Sequence, residues 1–231
     1  MPEFPILSLP TEVQALVVQR VAHNSVGDLY RLRATCKSMR ALADDDGVYA
    51  SLDLFKHPWN AGMGYLLLRR CYDVGNPSTL YIKGVEYFYT LDRQEEGLTL
   101  LKSAADAGFE RGLYTYAMTS KVFRDDDEYF SFFTRESVAN IGMVARASHG
   151  EWNLDHNYSF LTKRQDFISS VVPLFCSCRC SPILDQDWDL VGIEQSKAED
   201  MCNRCFWLKE VGIFLRDFRP TTGFPVFTAW Q

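Results

Sequence analysis

"LSLPTEVQALVVQRVA", residues 7–22, reads as a helix with a prepared start. Pro10 stands where a first helical residue fits, because its missing amide would have no partner there anyway. Glu12 follows in the first turn, where the helix dipole favours a carboxylate. Val13, Leu16, Val17 and Val21 then recur at helical spacing and lay one apolar stripe along the helix. Periodicity alone would give that stripe to the chain's own core.

The same period continues beyond it, and strand-like alternation with hairpin turn pairs is scarce, so the expected fold is all-α. Residues 28–43, "DLYRLRATCKSMRALA", read as one second helix capped by Asp28, with Leu29, Leu32, Cys36, Met39 and Ala43 on one side. "HPWNAGMG" at 57–64 reads as a linker. Residues 65–75 form a short helix stopped by Gly75 and Pro77. Helices over 77–89 and 93–107 make a hairpin, with Asp92 as cap and Gly108 as terminator. A third helix covers 109–123, and "RDDDEYF" opens a fourth running towards Ser148. Residues 158–171 and 194–218 are helical, 172–192 irregular, and the tail "RPTTGFPVFTAWQ" extended.

The chain has 231 residues, 47% hydrophobic and 14% aromatic, enough for a sizeable packed interior. Its net charge is −6 and its basic residues are scattered, which leaves no electrostatic footprint for nucleic acid. No apolar run approaches a membrane span, and "MPEFPILSLP" lacks the basic and apolar regions of a signal peptide. The expected location is cytoplasmic, nuclear or both.

Three short helices in the first fifty residues bury little alone, so they need cover from the rest of the chain or from a partner. "LPTEVQALVVQRVA", "DLYRLRATCKSMRAL" and "DDDGVY" together resemble an F-box. The matching positions are Leu9, Pro10, Glu12, Val13, Val17, Val21, Leu29, Leu32, Cys36, Lys37, Arg40, Val48 and Tyr49. Met39 departs from the aromatic residue usual there, and "AHNSVG" lengthens the first loop; the variant looks like a plant subfamily with helical repeats behind the box. The resemblance implies docking to a Skp-type adaptor, and through it to a cullin. It makes Leu9, Pro10, Val17, Val21, Leu29, Leu32, Cys36 and Met39 adaptor-facing, while Val13 is expected to face inward.

Residues 76–123 resemble a Sel-like repeat, a relative of the tetratricopeptide family, through Gly84, Tyr89, Ala104–Ala105 and Gly108, with Gly97 in place of the usual Ala. Small residues let two antiparallel helices approach closely. About one and a half units are visible and solenoids need more, so flanking helices are expected to act as caps.

Of seven cysteines, five lie between 176 and 205, as C-x-C-x-C and then C-x-x-C. Two readings stand. Cys178, Cys180, Cys202 and Cys205 could hold a structural zinc ion, with Cys176 as substitute and His149 or His156 as further donors. Alternatively the cysteines are reduced and pack as small hydrophobes. Trp188, Phe206, Trp207 and Phe214 would pack over the cluster or form a binding surface.

No nucleophile elbow, phosphate loop or metalloprotease motif is present, and the Asp triplets at 44–46 and 125–127 read as caps and solvated turns. The expected organisation is an F-box at 1–55, a helical repeat at 60–150 and a Cys-rich helical region at 151–231. The expected function is a non-catalytic substrate-recognition subunit of a Skp–cullin–F-box ubiquitin ligase, whose protein substrate the sequence does not name. The alternatives are an F-box regulator working outside a ligase and a zinc-stabilised interaction scaffold.

Overall fold

The computed structural model describes residues 6–56, 65–147, 156–170, 180 and 201–220. Among the described residues there are eleven α-helices, three short 3-10 segments and no strand, so the fold is all-α. They divide into two compact units, one up to Leu80 and one from Tyr81 onward.

The first unit begins with a 3-10 turn at Ile6–Ser8 and continues with α1 (Thr11–Asn24), α2 (Val26–Arg33), α3 (Lys37–Ala43) and α4 (Asp46–Ser51). Pro10 is the N-cap of α1 rather than its first residue. The long loop expected after α1 is nearly absent. Ser25 alone separates α1 from α2, and its side chain, not that of Asp28, accepts from the Asp28 amide at 3.1 Å. The expected single helix over 28–43 is two. The Thr35 hydroxyl bonds back to the Leu32 carbonyl, and Cys36 starts α3 with its Sγ accepting from the Met39 amide at 3.5 Å. A cap in the middle of the periodic pattern ends one helix and starts another without disturbing the apolar spacing. His23, expected in a loop, lies in the last turn of α1. Its Nε2 accepts from the Lys56 ammonium at 2.8 Å, which leaves its Nδ1–H to donate to the Ser51 carbonyl at 3.3 Å.

The core of this unit is Val18, Ala22, Val26, Leu29, Met39, Ala43, Val48, Tyr49, Leu52, Leu54, Leu68 and Cys71. Leu68 and Cys71 come from α5 (Tyr65–Asp73), which therefore belongs with the first fifty residues. Arg70 of α5 donates to the Asp44 carbonyl and lies over the Tyr49 ring, 4.0 Å from its centroid. Burial pushes the Cys71 thiol up to about 12 and raises the Tyr49 phenol, so both stay neutral. Gly75, at φ +73°, ends α5: the Asn76 amide reaches back to Cys71 and the Gly75 amide to Tyr72.

Asn76 then joins the parts of this unit. It is fully buried, and its Oδ1 caps α6 (Pro77–Tyr89) by accepting from the Ser78 amide at 2.8 Å and the Thr79 amide at 3.4 Å. Its Nδ2 donates to the Tyr49 carbonyl at 2.7 Å and the Leu52 carbonyl at 2.8 Å.

The second unit holds the hairpin. α7 (Gln94–Asp106) and α8 (Glu110–Arg124) fall close to the expected limits. Asp92 takes a left-handed conformation at φ 55°, and Arg93, not Asp92, occupies the N-cap. A Cβ placed on Gly97 would sit 2.6 Å from the Phe88 amide nitrogen, and one on Gly84 would sit 3.0 Å from the Leu101 nitrogen. The two backbones touch at this crossing, and only glycine fits. The expected fourth helix is instead a 3-10 turn at Glu128–Phe132 followed by α9 (Arg135–Arg146). Thr134 and Ser137 form a capping box that starts α9 ten residues after α8 ends.

α10 (Tyr158–Ser170) and α11 (Asn203–Asp217) complete this unit. Asn157 caps α10 through the Phe160 amide, while its own amide donates to the Phe88 carbonyl at 2.6 Å. Around the buried Tyr89 gather Phe160 at 5.3 Å and Phe218 at 4.9 Å between ring centroids. The Tyr89 hydroxyl meets Thr119 Oγ1. Three buried charges of this unit gather: Arg146 lies 3.6 Å from Glu210, and Lys209 lies 3.8 Å from the same carboxylate.

Candidate functional site

Along α1 the backbone turns 100° per residue, so Val18 and Ala22 lie nearly opposite Val13 and Leu16. The core takes the first pair, each at 0% exposure. Val13 is 39% exposed and Leu16 63% exposed, and Val17 and Val21 lie half-buried between the two faces. The apolar arc of this helix is therefore wider than the core consumes. Gln14 fixes the approach to it, since its Nε2 donates to the Leu9 carbonyl at 2.7 Å and holds the preceding turn against the helix start.

The eight residues expected to face an adaptor separate into three groups. Pro10 and Cys36 are exposed. Leu9, Val17, Val21 and Leu32 are half-buried. Leu29 and Met39 are in the core, 3% and 2% exposed, and are corrected from docking to packing residues. The resemblance alone had placed both on the adaptor face; in the structure Leu29 is a buried residue of α2, and Met39 is buried in α3 together with Ala43. Val13 is corrected in the opposite direction, from inward to outward. Leu16 and Tyr30, the latter 43% exposed, were not assigned to the face. The width of the apolar arc was the signal that could have found Leu16.

The second candidate is the cysteine cluster. The Sγ atoms of Cys180, Cys202 and Cys205 all lie within 4.8 Å of one another. Cys202 is the N-cap of α11 and Cys205 is three residues on, so both side chains meet at the helix start. The Cys202 amide donates to the Cys180 Sγ at 3.2 Å. Cys205 is buried, Cys180 half-buried and Cys202 exposed. Cys176, Cys178, His149 and Trp188 lie outside the described residues. His156 is used elsewhere, stacked on Phe160 with centroids 4.1 Å apart. Phe206 is buried one residue beyond Cys205, whereas Trp207 stacks on Phe130 and Phe214 packs with Tyr114 and Phe218.

Comparison with known proteins supplies the rest. Residues 6–54 match the family model described as F-box-like, and residues 52–144 match the one for plant tetratrico peptide repeats. Two curated relatives come from Arabidopsis thaliana. One, named an F-box protein, is 29% identical over 114 residues, 48% of this chain and 70% of its own length. The other, named a putative F-box protein, is 27% identical over 208 residues, 81% of this chain and 68% of its own. No solved structure matches. Among the described residues no helix is long and apolar enough to cross a membrane.

Proposed function

We propose, from the premise that this chain carries an N-terminal F-box-like domain followed by a plant tetratricopeptide-repeat region, that it is a substrate-recognition subunit of a Skp–cullin–F-box ubiquitin ligase. F-box domains generally bind Skp-type adaptors, and proteins of this kind are typically non-catalytic. The observation that carries the reading is the outer face of α1. Pro10, Val13 and Leu16 stand one turn apart, apolar and outside the core of their own unit. Large apolar side chains held on a rigid helix are the ordinary anchors of a helical interface.

In this reading the adaptor covers Pro10, Val13 and Leu16, with Leu9, Val17, Val21, Leu32 and Cys36 around them. The helical body engages a protein substrate in the cytoplasm or nucleus. Ubiquitin transfer is done by other subunits, and this chain contributes proximity.

Co-purification of the full chain with a Skp-type adaptor tests the docking. Val13→Glu with Leu16→Glu places two charges in the interface, and each lost anchor is worth about 2 kcal/mol, so affinity should fall about 1,000-fold. Both side chains lie outside the core, so the helical signal should be unchanged. Undiminished binding by this double variant would refute the assignment. Ubiquitylation of a bound partner, lost with the same variant, separates a ligase subunit from an F-box regulator.

A further inference from the structure

We propose that Cys180, Cys202 and Cys205 supply three thiolates to a structural zinc ion that closes the chain onto the start of α11. Four-coordinate zinc with sulfur at about 2.3 Å sets its ligand sulfurs about 3.8 Å apart. The three Sγ atoms, all within 4.8 Å of one another, need only a small inward movement to reach that spacing.

The placement of the sulfurs suits metal ligation. Cys202 and Cys205 occupy the N-cap and the third position of a helix of 15 residues, at the positive end of its dipole. The Cys202 amide points at the Cys180 sulfur, 3.2 Å away, and an N–H donated to sulfur stabilises the anion that a metal binds. This bond also reaches 22 residues along the chain, which no helical periodicity requires. Three sulfurs converge from two distant segments, one of them on a helix whose inner face is already fixed by Phe206, Val211, Phe214 and Leu215.

Zinc suits this set better than a harder cation, since soft thiolates select it over magnesium or calcium. Three sulfurs and one further ligand complete a closed tetrahedron with no open position. The ion is therefore a clip rather than a catalyst. It ties Cys180 to the start of α11 across 22 residues of sequence.

Metal analysis of the full chain, purified without chelator and passed through buffer free of zinc, should find about one equivalent. Cys202→Ser and Cys205→Ser should each lose most of it. Cys36→Ser, at an exposed N-cap where serine serves equally well, should keep it. If the cluster variants fold poorly, the wild-type chain still decides. Exchange of the ion for cobalt(II) should give a visible spectrum with intense thiolate-to-metal charge transfer, and chelation should abolish it and lower the thermal midpoint by several degrees. Zinc below a tenth of an equivalent, cobalt without charge transfer, or a Cys202–Cys205 disulfide in the purified chain would each overturn the proposal.

Discussion

Asn76 spends all of its hydrogen-bonding groups on backbone that is distant in sequence or about to become helical. Its amide nitrogen satisfies two buried carbonyls, those of Tyr49 and Leu52, and its oxygen caps α6. Asn76→Ala removes the cap and strands both carbonyls, a loss of about 3 kcal/mol or more. Asn76→Asp separates the two roles. Aspartate caps a helix as well as asparagine does, yet it offers an oxygen where two donors are needed. Urea denaturation should therefore show the Asp variant no more stable than the Ala variant. A near-wild-type Asp variant would mean that only the cap matters. In the sequence Gly75 and Pro77 account for the local break without Asn76. Asn before Pro is itself a helix-start signal, but the carbonyls that make Asn76 indispensable lie 24 and 27 residues away.

At the scale of elements, apolar spacing located most helices, and the errors sit where a short polar side chain intervened. Cys36 divided one periodic run into α2 and α3, and Ser25 closed a loop that composition alone made longer. The α6–α7 crossing was legible because its glycines and alanines have a steric reason. That reason is measurable. Gly97→Ala gains up to about 1 kcal/mol of helix propensity but forces a methyl against the Phe88 backbone 2.6 Å away. Backbone cannot rotate aside, so overpacking of about 1–3 kcal/mol should win, and thermal unfolding should come several degrees earlier. Ser103→Ala, exposed on the same helix, should leave the midpoint nearly unchanged. If Gly97→Ala stabilises the chain, the contact is looser than described. The face of α1 teaches a different lesson. Spacing revealed how many apolar positions the helix carries, but only packing reveals which of them its own unit uses.

Over the whole molecule, an aromatic-rich composition announced a packed interior, whereas the division into units did not follow from composition. Within each unit one asparagine ties together segments distant in sequence, the buried Asn76 in one and the half-buried Asn157 in the other. The second unit concentrates its phenols. Tyr81, Tyr89 and Tyr114 are buried, and desolvation raises all three above the ordinary tyrosine value. Thr115 and Thr119 offset part of this for Tyr81 and Tyr89, as does the Arg146 charge for Tyr114. Below about pH 10 both the folded and unfolded chains keep these protons, and the three phenols leave stability unchanged. Above it the unfolded chain releases them while the folded chain holds them, so the unfolded state binds fewer protons and gains. Each phenol then removes about 1.4 kcal/mol per pH unit, and three together up to about 4. Against a total stability of about 5–15 kcal/mol, helix content should collapse within a few pH units above 10. Buried phenolate absorbance should rise in the same step. Tyr81→Phe, which removes the hydroxyl 3.4 Å from Thr115 Oγ1, should cut the share of the alkaline slope that these three phenols carry by about a third. If all phenols ionise near pH 10 with the helices intact, the aromatic interior is open to water, and the α10–α11 seal around Tyr89 does not exist.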